Sequence, residues 1–254
     1  MNDRSWKAVS VNFGGAFPTN HAGAVGPEHW ARQHMDQYDL VFAQEVPGGD
    51  WLRERTGFHV FTHAAGQRYR TLSALLVRTS IGLPLTPPQI TTARYHGSYL
   101  AAARVEHPTL GPVCLMSVHA SPKRVSDAWE KEWTACGVEL PESRSCGRWD
   151  ADLLLATVRR VASEYQVIAA GDWNEARAWD DEHPDGGGEE FFERVGAGNC
   201  LVDVCCGRKD GPATRGALRL DHVFASQPIR AAVHTLGLGT ARPTDHWPVE
   251  FTIG

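Results

Sequence analysis

Apolar positions along the chain fall mostly into short runs that either alternate with polar residues or continue unbroken for a few positions. Runs of this kind, bounded by Gly, Pro, Asn and Asp, are typical of β-strands. They occur at residues 7–13, 39–45, 58–63, 71–78, 99–107, 111–121, 165–174, 218–226, 230–238 and 246–253. Because such runs lie near both ends of the chain, a simple alternation of strands and helices is disfavoured.

Four other stretches have the spacing or the end signals of helices. They are residues 26–38, 126–136, 148–165 and 187–198. The third is the clearest, because Leu154, Val158 and Val161 form one apolar stripe at helical spacing. The second has Ser126 at the position of an N-cap. Many strands and few helices together predict an α/β fold in which two packed sheets are covered by helices.

Polar side chains follow the apolar part of several predicted strands. These residues are Asn12, Glu45, His119, Asp172, Asn174, Asp221, Asp245 and His246. Asp172 and Asn174 stand two residues apart in the stretch VIAAGDWNEA, which predicts that they share one side of an extended backbone. One polar strand end carries little information, but this set of carboxylates, amides and imidazoles predicts a common rim on a sheet-based scaffold.

The oxygen-bearing members of this set suit a divalent metal ion and a water molecule. Mg²⁺ prefers oxygen ligands and keeps several waters, and Glu45, Asp245 and Asn12 are candidate ligands. A water that attacks phosphorus needs an acceptor to orient or deprotonate it. Asp172 is the candidate for that role.

The nitrogen-bearing members suit a phosphate group. Asn174, His119 and His246 are candidate donors to phosphate oxygens. Asp221 is a candidate partner that fixes the tautomer of a histidine. Because a phosphoryl transition state spreads its charge over oxygens, it is stabilised mainly by positioning and electrostatics.

Six motifs, taken in order, resemble the endonuclease/exonuclease/phosphatase superfamily, which includes DNase I-like nucleases, exonuclease III-like repair enzymes and inositol polyphosphate phosphatases. The motifs are NFGG, AQEV, SVHAS, GDWNEA, LDHVFAS and TDHWPVEF, and they span Asn12 to His246. The most specific parts are GD-x-N and DH-x-PV. The resemblance implies a DNase I-like four-layer α/β sandwich, with two mixed β-sheets flanked by helices, and a Mg²⁺ or Mn²⁺ site at one edge. We expect residues 1–254 to form a single domain.

The resemblance also implies which residues hold the metal. Glu45 resembles the main metal ligand, with Asn12 beside it, and Asp245 resembles a further acid on the metal side. The repair enzymes carry a second metal ligand two residues after the position of Asn12, where this chain has Gly14. This departure weakens the interpretation as a repair nuclease.

The remaining roles concern water and phosphate. Asp172 resembles the residue that orients or activates the nucleophilic water, and Asn174 resembles the phosphate-binding amide. His246 resembles the catalytic histidine, paired with Asp221. His119 matches the position that contacts the phosphate or protonates the leaving group in this family.

Three further departures bear on the branch of the family. Trp173 stands where Phe is usual, and His222 stands where Tyr is common; both changes are compatible with the same fold. Inositol phosphatases carry a Trp-x-Asp-Arg segment near the position of Asp221, and the stretch GALRLDHVF lacks it. This absence disfavours that branch.

The composition is that of an ordinary globular protein, with 254 residues of which 42% are hydrophobic and 22% charged. A net charge of −5 argues against a general polyanion binder. Residues 61–124, however, contain seven Lys/Arg and one acid, so this segment carries +6 and the rest of the chain −11. Chance scatter would explain this, but a phosphate-facing wall is the favoured hypothesis; its residues are Arg68, Arg70, Arg78, Arg94, Arg104, Lys123 and Arg124.

Other features bear on the location of the protein. No apolar run approaches the roughly 20 residues that span a bilayer, and residues 1–13 show no apolar segment typical of a secretory signal. None of the six cysteines belongs to a C-x-x-C pair, which favours reduced thiols. These features predict a cytoplasmic protein.

Three functions remain open from the sequence. The first is a Mg²⁺- or Mn²⁺-dependent phosphodiesterase, most simply a nuclease with DNA or RNA as substrate, which the basic segment favours. The second is a phosphatase or phosphohydrolase acting on a small phosphorylated metabolite or a lipid headgroup; an acidic loop at residues 180–190 favours it if that loop lies near the site. The third, a non-enzymatic binding relative, is disfavoured because the principal catalytic positions are all filled. The sequence does not indicate an oligomeric state.

Overall fold

The computed structural model describes residues 5–15, 22–47, 52, 56–62, 71–86, 90, 99–182, 187–204 and 212–254, with backbone only at 181 and 182. Within these residues, eleven strands form two mixed sheets. The six-stranded sheet has the order β10-β11-β1-β2-β4-β3, and the five-stranded sheet has the order β5-β6-β7-β9-β8.

The elements have the following bounds. The strands are β1 (Trp6–Asn12), β2 (Leu40–Pro47), β3 (Phe58–Thr62), β4 (Thr71–Arg78), β5 (Leu100–His107), β6 (Gly111–His119), β7 (Gln166–Asp172), β8 (Leu201–Asp203), β9 (Asp221–Ser226), β10 (Val233–Leu238) and β11 (Val249–Ile253). The helices are α1 (Pro27–His34), α2 (Asp127–Ala135), α3 (Asp150–Ala162), α4 (Trp179–Glu182) and α5 (Gly188–Gly196).

Each sheet contains one parallel pair of strands, and this pair sets the position of the site. In the six-stranded sheet β1 runs parallel to β2, with Asn12 opposite Gln44. In the five-stranded sheet β6 runs parallel to β7, with His119 opposite Asp172. Strand β9 runs antiparallel to β7 and begins with Asp221 opposite Asp172. The carboxyl ends of four strands and the start of a fifth therefore lie at one edge.

The two sheets pack face to face over a shared apolar core. Phe42 and Leu75 of one sheet and Leu115 and Ile168 of the other belong to this core and are fully buried. Side chains alternate along a strand, so the remaining apolar positions of β2 and β7 point away from this interface. They are covered by helices.

The outer faces of the sheets are covered on both sides. Trp30 and Ala31 of α1 pack with Val9 and Val41 on the six-stranded sheet. Helices α3 and α5 cover the five-stranded sheet, and Phe191 belongs to that cluster. The order helix, sheet, sheet, helix confirms the predicted four-layer α/β sandwich.

Two local predictions are also confirmed. The Ser126 side chain caps α2 by accepting a hydrogen bond from Trp129 N at 3.4 Å. The described cysteines, Cys114, Cys136, Cys146 and Cys200, are free thiols.

The structure differs from the predicted elements near the carboxyl end of the chain. The run predicted as a strand from Arg230 instead starts with a 3₁₀ helix, Gln227–Ala232, and β10 begins only at Val233. Pro228 explains the difference, because its fixed φ suits the first turn of a helix and it lacks a backbone donor. Strand β8 was not predicted, since three residues are too few to show a period.

Candidate active site

Residues from both sheets meet at the edge where the parallel pairs end. Asn12 and Glu45 come from the six-stranded sheet, and His119 and Asp172 come from the five-stranded sheet. Asn12 Nδ2 donates to Asp172 Oδ2 at 2.9 Å and to Glu45 Oε1 at 3.2 Å. His119 Nε2 lies 3.4 Å from Glu45 Oε1. The predicted rim of polar strand ends is therefore present, and it bridges the two sheets.

Glu45 has an unusual backbone. Its φ is +46°, a left-handed conformation that costs a non-glycine residue about 1–3 kcal/mol. The pairing of β2 with β4 shifts between Ala43 and Val46, which is a β-bulge. Bulges next to active sites re-aim a side chain, and here the Glu45 carboxylate contacts Asn12 and His119. No feature of the sequence marks this bulge.

Asp172 is buried at the centre of the site. Its Oδ1 accepts a hydrogen bond from Asn174 N at 3.0 Å. Burial raises the pKa of Asp172 to about 6; His246 and His119 oppose this shift, and Asp221 and Glu45 add to it. A carboxylate with this pKa is still mostly ionised at neutral pH, yet it is a better base than an exposed aspartate.

The glycine of the GD-x-N motif is required by the packing of β6 on β7. A Cβ added at Gly171 would lie 1.8 Å from the backbone oxygen of Val118. Only glycine permits this approach, which places His119 directly beside Asp172 in the parallel register.

The sequence-based prediction about Asp172 and Asn174 was wrong in its geometry. Strand β7 ends at Asp172, and Asn174 has a left-handed backbone with φ +50°. The two residues are close because the chain turns and Asn174 N donates a hydrogen bond to Asp172 Oδ1. They do not lie on one side of an extended strand, as was predicted. The Asn174 side chain donates from Nδ2 to Ala120 O at 2.7 Å, which joins this turn to the end of β6.

His246 and Asp221 form a buried pair. Their side chains are 4% and 1% exposed, and His246 Nδ1 donates to Asp221 Oδ2 at 2.9 Å. Burial acts to lower the pKa of His246, but the carboxylates of Asp221, Asp172 and Asp245 outweigh it and raise that pKa to about 9. His246 Nε2 lies 3.8 Å from Asp172 Oδ2. The imidazolium therefore holds one N–H on Asp221 and turns the other toward Asp172.

The orientation of the Asn12 amide is set by its neighbours. Gly14 N donates to Asn12 Oδ1 at 2.8 Å, so the amide nitrogen faces the two carboxylates. Thr244 Oγ1 donates to Asn12 O at 3.0 Å and accepts from His246 N at 3.2 Å. In this arrangement Asn12 offers the acids a donor. Thr244 links Asn12 to His246, a contact that was not predicted from the sequence.

The metal-binding groups can be compared with their predicted set. The ligand atoms of Glu45, His119 and Asp172 all lie within 4.8 Å of one another. Two carboxylates and an imidazole at this spacing fit a divalent cation such as Mn²⁺, and the carboxylates alone fit Mg²⁺, which retains waters. Asp172, Asp221 and His246 form a second group of close ligand atoms. Among the described residues, Asp245 belongs to neither group; its Oδ2 accepts a hydrogen bond from Arg215 Nε at 2.8 Å.

A second buried charge cluster includes Glu175 of the GDWNEA turn, and it was not predicted from the sequence. Arg144 has no exposed side-chain surface; its Nε donates to both carboxylate oxygens of Asp152, and its Nη1 and Nη2 each donate to one oxygen of Glu175. Arg144 Nη1 also donates to Gly187 O at 2.9 Å. The sequence feature that could have indicated this cluster is Glu175, a charged residue within an otherwise apolar motif. We call Arg144, Asp152 and Glu175 the arginine cluster.

A polar network behind the site links the two sheets. Gln44 Nε2 donates to Ser117 Oγ at 3.0 Å, and Ser117 Oγ donates to Ala43 O at 3.0 Å. Both side chains are fully buried. Because backbone hydrogen bonds do not cross between sheets, this contact helps to hold β2 against β6.

The predicted phosphate-facing wall is wrong for two of its members. Arg78 donates to Tyr38 O and Asp36 O at the end of β4 opposite to the site. Arg104 covers the ring of Tyr165, also away from the site. Both arginines therefore make contacts within the fold and do not face the site. Of the others, Lys123 and Arg124 follow β6 on the site side, and Arg68, Arg70 and Arg94 lie outside the described residues.

The acidic loop is also engaged in local structure, as far as it is described. Asp180 accepts hydrogen bonds from Gly188 N and Glu189 N at 2.8 Å each, at the start of α5. Glu189 pairs with Arg177 at 2.7 Å, and Glu190 accepts from Ser145 N at 2.9 Å. The side chains of residues 181–186 lie outside the described part of the chain. The described acids therefore repel a polyanion less than their number suggests.

The family follows from the sequence match over the same elements. A sequence model of the endonuclease/exonuclease/phosphatase family matches residues 22–246. The chain belongs to this family. Members of the endonuclease/exonuclease/phosphatase family hydrolyse phosphoester bonds, so the chain is a phosphoester hydrolase. No curated protein matches the sequence.

Solved structures show the same fold at low sequence identity. A humanised D. rerio TDP2 carrying 14 mutations is 18% identical, with a TM-score of 0.62 over 98% of this chain and 99% of its own. The AP endonuclease LMAP from Leishmania major is 14% identical, with a TM-score of 0.65 over 100% of this chain and 89% of its own. A variant of the 3′ phosphatase NExo from Neisseria, bound to a product DNA hairpin, is 15% identical, with a TM-score of 0.60 over 98% of this chain and 99% of its own.

None of the described helices is both long enough and apolar enough to cross a bilayer.

Proposed function

We propose that this member of the endonuclease/exonuclease/phosphatase family is a divalent-metal-dependent phosphodiesterase, most simply a nuclease acting on DNA or RNA. The observation that carries the proposal is the convergence of Asn12 and Glu45 from one sheet with His119 and Asp172 from the other. The buried pair of His246 and Asp221 adjoins Asp172. Together they offer a base, donors and a metal-binding edge within one site.

The chain's own residues have complementary roles in hydrolysis. Asp172, with its raised pKa, orients the attacking water and accepts its proton. His246 is charged at neutral pH and directs Nε2–H toward the phosphate oxygens beside Asp172, while Asp221 fixes its ring. His119 and Asn174 are the proposed remaining contacts to the phosphate or leaving group. These groups act through positioning and electrostatics, which dominate in this reaction class.

Glu45 is the proposed principal ligand of Mg²⁺ or Mn²⁺, and Asn12 positions the carboxylates of Glu45 and Asp172. When bound, the metal supplies Lewis-acid stabilisation of charge on the phosphate. The pairing of Asp245 with Arg215 does not favour the predicted role of Asp245 on the metal side. That residues 1–254 form a single, cytoplasmic domain remains a prediction.

A nucleic acid is favoured over a small phosphorylated molecule. The described acids of the acidic loop make local contacts, which weakens the main argument for a small substrate. The Neisseria 3′ phosphatase, which shares this fold, was solved with product DNA bound. A small phosphorylated metabolite or lipid headgroup is the second candidate.

Hydrolysis by the purified chain tests the proposal. The substrates are supercoiled DNA, single-stranded DNA, RNA, bis(p-nitrophenyl) phosphate and p-nitrophenyl phosphate, each with Mg²⁺ or Mn²⁺ and again with EDTA. His246→Ala, prepared in parallel, controls for contaminating nuclease. We expect metal-dependent cleavage of nucleic acid that the variant loses.

The other outcomes count against specific parts of the proposal. Turnover of p-nitrophenyl phosphate alone would contradict a nuclease and indicate a phosphatase. Activity that persists in EDTA would contradict metal dependence. Activity that persists in His246→Ala would contradict the assignment of the site.

A further inference from the structure

The loop before β9 is fastened to the two strand ends that carry the catalytic pair. Thr214 Oγ1 accepts a hydrogen bond from Asp221 N at 3.1 Å, and Thr214 O accepts one from Trp247 N at 2.8 Å. The next residue, Arg215, forms an isolated antiparallel bridge with His246. Paired residues in such a bridge have Cα atoms about 4.5–5.5 Å apart, so the backbone of Arg215 is held directly beside His246.

The Arg215 side chain is anchored through only one of its nitrogens. Its Nε donates to Asp245 Oδ2 at 2.8 Å, while 49% of the side chain is exposed. Among the described residues, the terminal nitrogens of Arg215 donate no hydrogen bond to the protein. Arg242 nearby differs, because its terminal nitrogens donate to Asp245 O and Ala22 O. Arg215 thus keeps unused donors at a fixed position next to the site.

We propose that Arg215 binds a phosphate that flanks the scissile phosphate of an oligonucleotide, and that Asp245 is the positioning residue for this arginine. The inference rests on the proposed nuclease function. Asp172 and His246 define the scissile position, and their side chains are only 2% and 4% exposed. Since Arg215 is half exposed, its donors reach the part of the substrate that extends out of the buried site.

The chemistry of the pair suits a phosphate. A guanidinium presents a rigid planar fork that matches phosphate oxygens, and anchoring at Nε reduces the freedom lost on binding. The neighbouring site is rich in carboxylates, so a cation at its rim offsets repulsion of the substrate. An exposed ion pair contributes only about 0–1 kcal/mol to stability, which makes a purely structural role for Arg215 a weak explanation.

Two positions where the family resemblance suggests a further metal-binding acid are occupied differently here. Asp245 is paired with Arg215. Gly14, which stands where the repair enzymes carry an acid, has φ +56°, and a Cβ there would lie 2.7 Å from Thr244 Cγ2. A side chain at this position would therefore be strained and would clash.

Two thymidine oligonucleotides, TpT with one phosphodiester and TpTpT with two, test the inference. For Arg215→Ala we expect the ratio of kcat/KM for TpTpT to kcat/KM for TpT to fall roughly tenfold, as for a lost charged hydrogen bond. Arg215→Lys keeps the charge without the fork, so it recovers part of the ratio. Arg177→Ala, which removes another arginine from an ion pair with an acid (Glu189), is the matched control and keeps the ratio of the wild type.

A binding measurement separates this inference from the proposed function. In an Asp172→Asn background, anisotropy of a fluorescent single-stranded oligonucleotide gives the slope of log affinity against log salt. We expect Arg215→Ala to reduce this slope by about one. If the wild type hydrolyses neither oligonucleotide but this reduction is seen, the proposed function fails and the phosphate contact stands. An unchanged slope and an unchanged ratio would overturn the contact.

Asp245→Asn tests the positioning role. We expect it to lower the TpTpT to TpT ratio as Arg215→Ala does, without weakening Mn²⁺ binding measured by calorimetry. A loss of Mn²⁺ affinity with the ratio preserved would instead assign Asp245 to the metal and overturn its role toward Arg215.

Discussion

Two buried charge clusters, joined by a short turn, behave in opposite ways. In the arginine cluster, Arg144 donates to Asp152 through Nε and to Glu175 through both terminal nitrogens. In the site cluster, made by Asp172, Asp221 and His246, two carboxylates share one imidazole. Trp173 and Asn174 separate Asp172 in one cluster from Glu175 in the other.

The difference lies in what each cluster does with its charges. Burial acts to lower the pKa of Arg144, but Glu175 and Asp152 overcome this and hold it above its ordinary range, so the guanidinium stays charged. Burial raises the pKa of a carboxyl group in both clusters, to about 7 for Glu175 and to about 6 for Asp172. The clusters differ in geometry, because two nitrogens of Arg144 donate to Glu175 while Asp172 Oδ2 lies 3.8 Å from His246 Nε2. The fully paired arginine cluster holds the turn in place, while the incompletely paired site cluster next to it contains the carboxylate and the imidazole that the proposed function uses.

The largest expected effect comes from Asp172→Asn. The change keeps the shape but removes the base, so we expect kcat/KM to fall by about 10³-fold or more. Thermal unfolding should show a Tm that is not lowered, because burial disfavours the charge that is removed. Asp39→Asn, which replaces an acid at the far end of β1 and β2, should keep its activity. A comparable loss in Asp39→Asn, or retained activity in Asp172→Asn, would contradict the contrast.

The next effect is Arg144→Met, which removes the cation shared by two buried acids and leaves Asp152 with Arg194 at 3.7 Å. We expect a loss of about 3–5 kcal/mol in the free energy of unfolding, measured by urea denaturation. Adding Glu175→Gln to this variant removes a buried carboxyl group whose ionisation burial opposes, and should recover part of the loss.

The exposed pair of Arg177 and Glu189 serves as the control for that experiment. Arg177→Ala should cost less than about 1 kcal/mol. An equal loss in both single variants would show that the arginine cluster is not specially coupled to the fold.

The smallest effect is the pH dependence of folding stability that His246 of the site cluster contributes. The pKa of His246 is about 9 in the fold and about 6.5 in an unfolded chain, so its charge stabilises the folded state. This contribution is fully present below pH 6.5, declines as the pH rises above that value, and is lost above about pH 9. It amounts to at most about 3 kcal/mol.

Unfolding in EDTA at pH 6 to 9.5 measures that contribution. The stability advantage of the wild type over His246→Gln should shrink across this interval. Asp221→Asn removes the first carboxylate that raises the pKa of His246 in the fold, so the pH-dependent decline of its stability should be smaller and should end at a lower pH. An advantage that grows with pH would contradict the assigned charge state of His246.

Much of the fold and of the site was predictable because it depends on local pattern. Short apolar runs, alternating or unbroken, predicted most strands, and the stripe of α3 and the cap at Ser126 predicted two helices. The residues Asn12, Glu45, His119 and Asp172 stood out because polar side chains at the ends of apolar strands are unusual as a set. Their order along the chain also carried the resemblance to the family, which the sequence match then confirmed.

The remaining features depend on contacts between distant segments. The left-handed backbone of Glu45 comes from a bulge against β4, and the turn at Asn174 is held by Ala120, which directly follows β6. Nothing local marks Arg144 as buried, since arginine is usually exposed, and Thr214 lies in a loop without a motif. The charge count along residues 61–124 failed for Arg78 and Arg104 because nearness in sequence does not place side chains on one surface.

The sequence by itself determined the four-layer fold, the family and the set of reactive groups, because hydrophobic period and residue type act locally and survive in a one-dimensional pattern. Only the tertiary structure decided how those groups are used. Burial raised the pKa of Asp172, Asp221 oriented His246, and Arg215 took Asp245 as its partner. These outcomes depend on which distant side chains meet out of water, where charges interact most strongly.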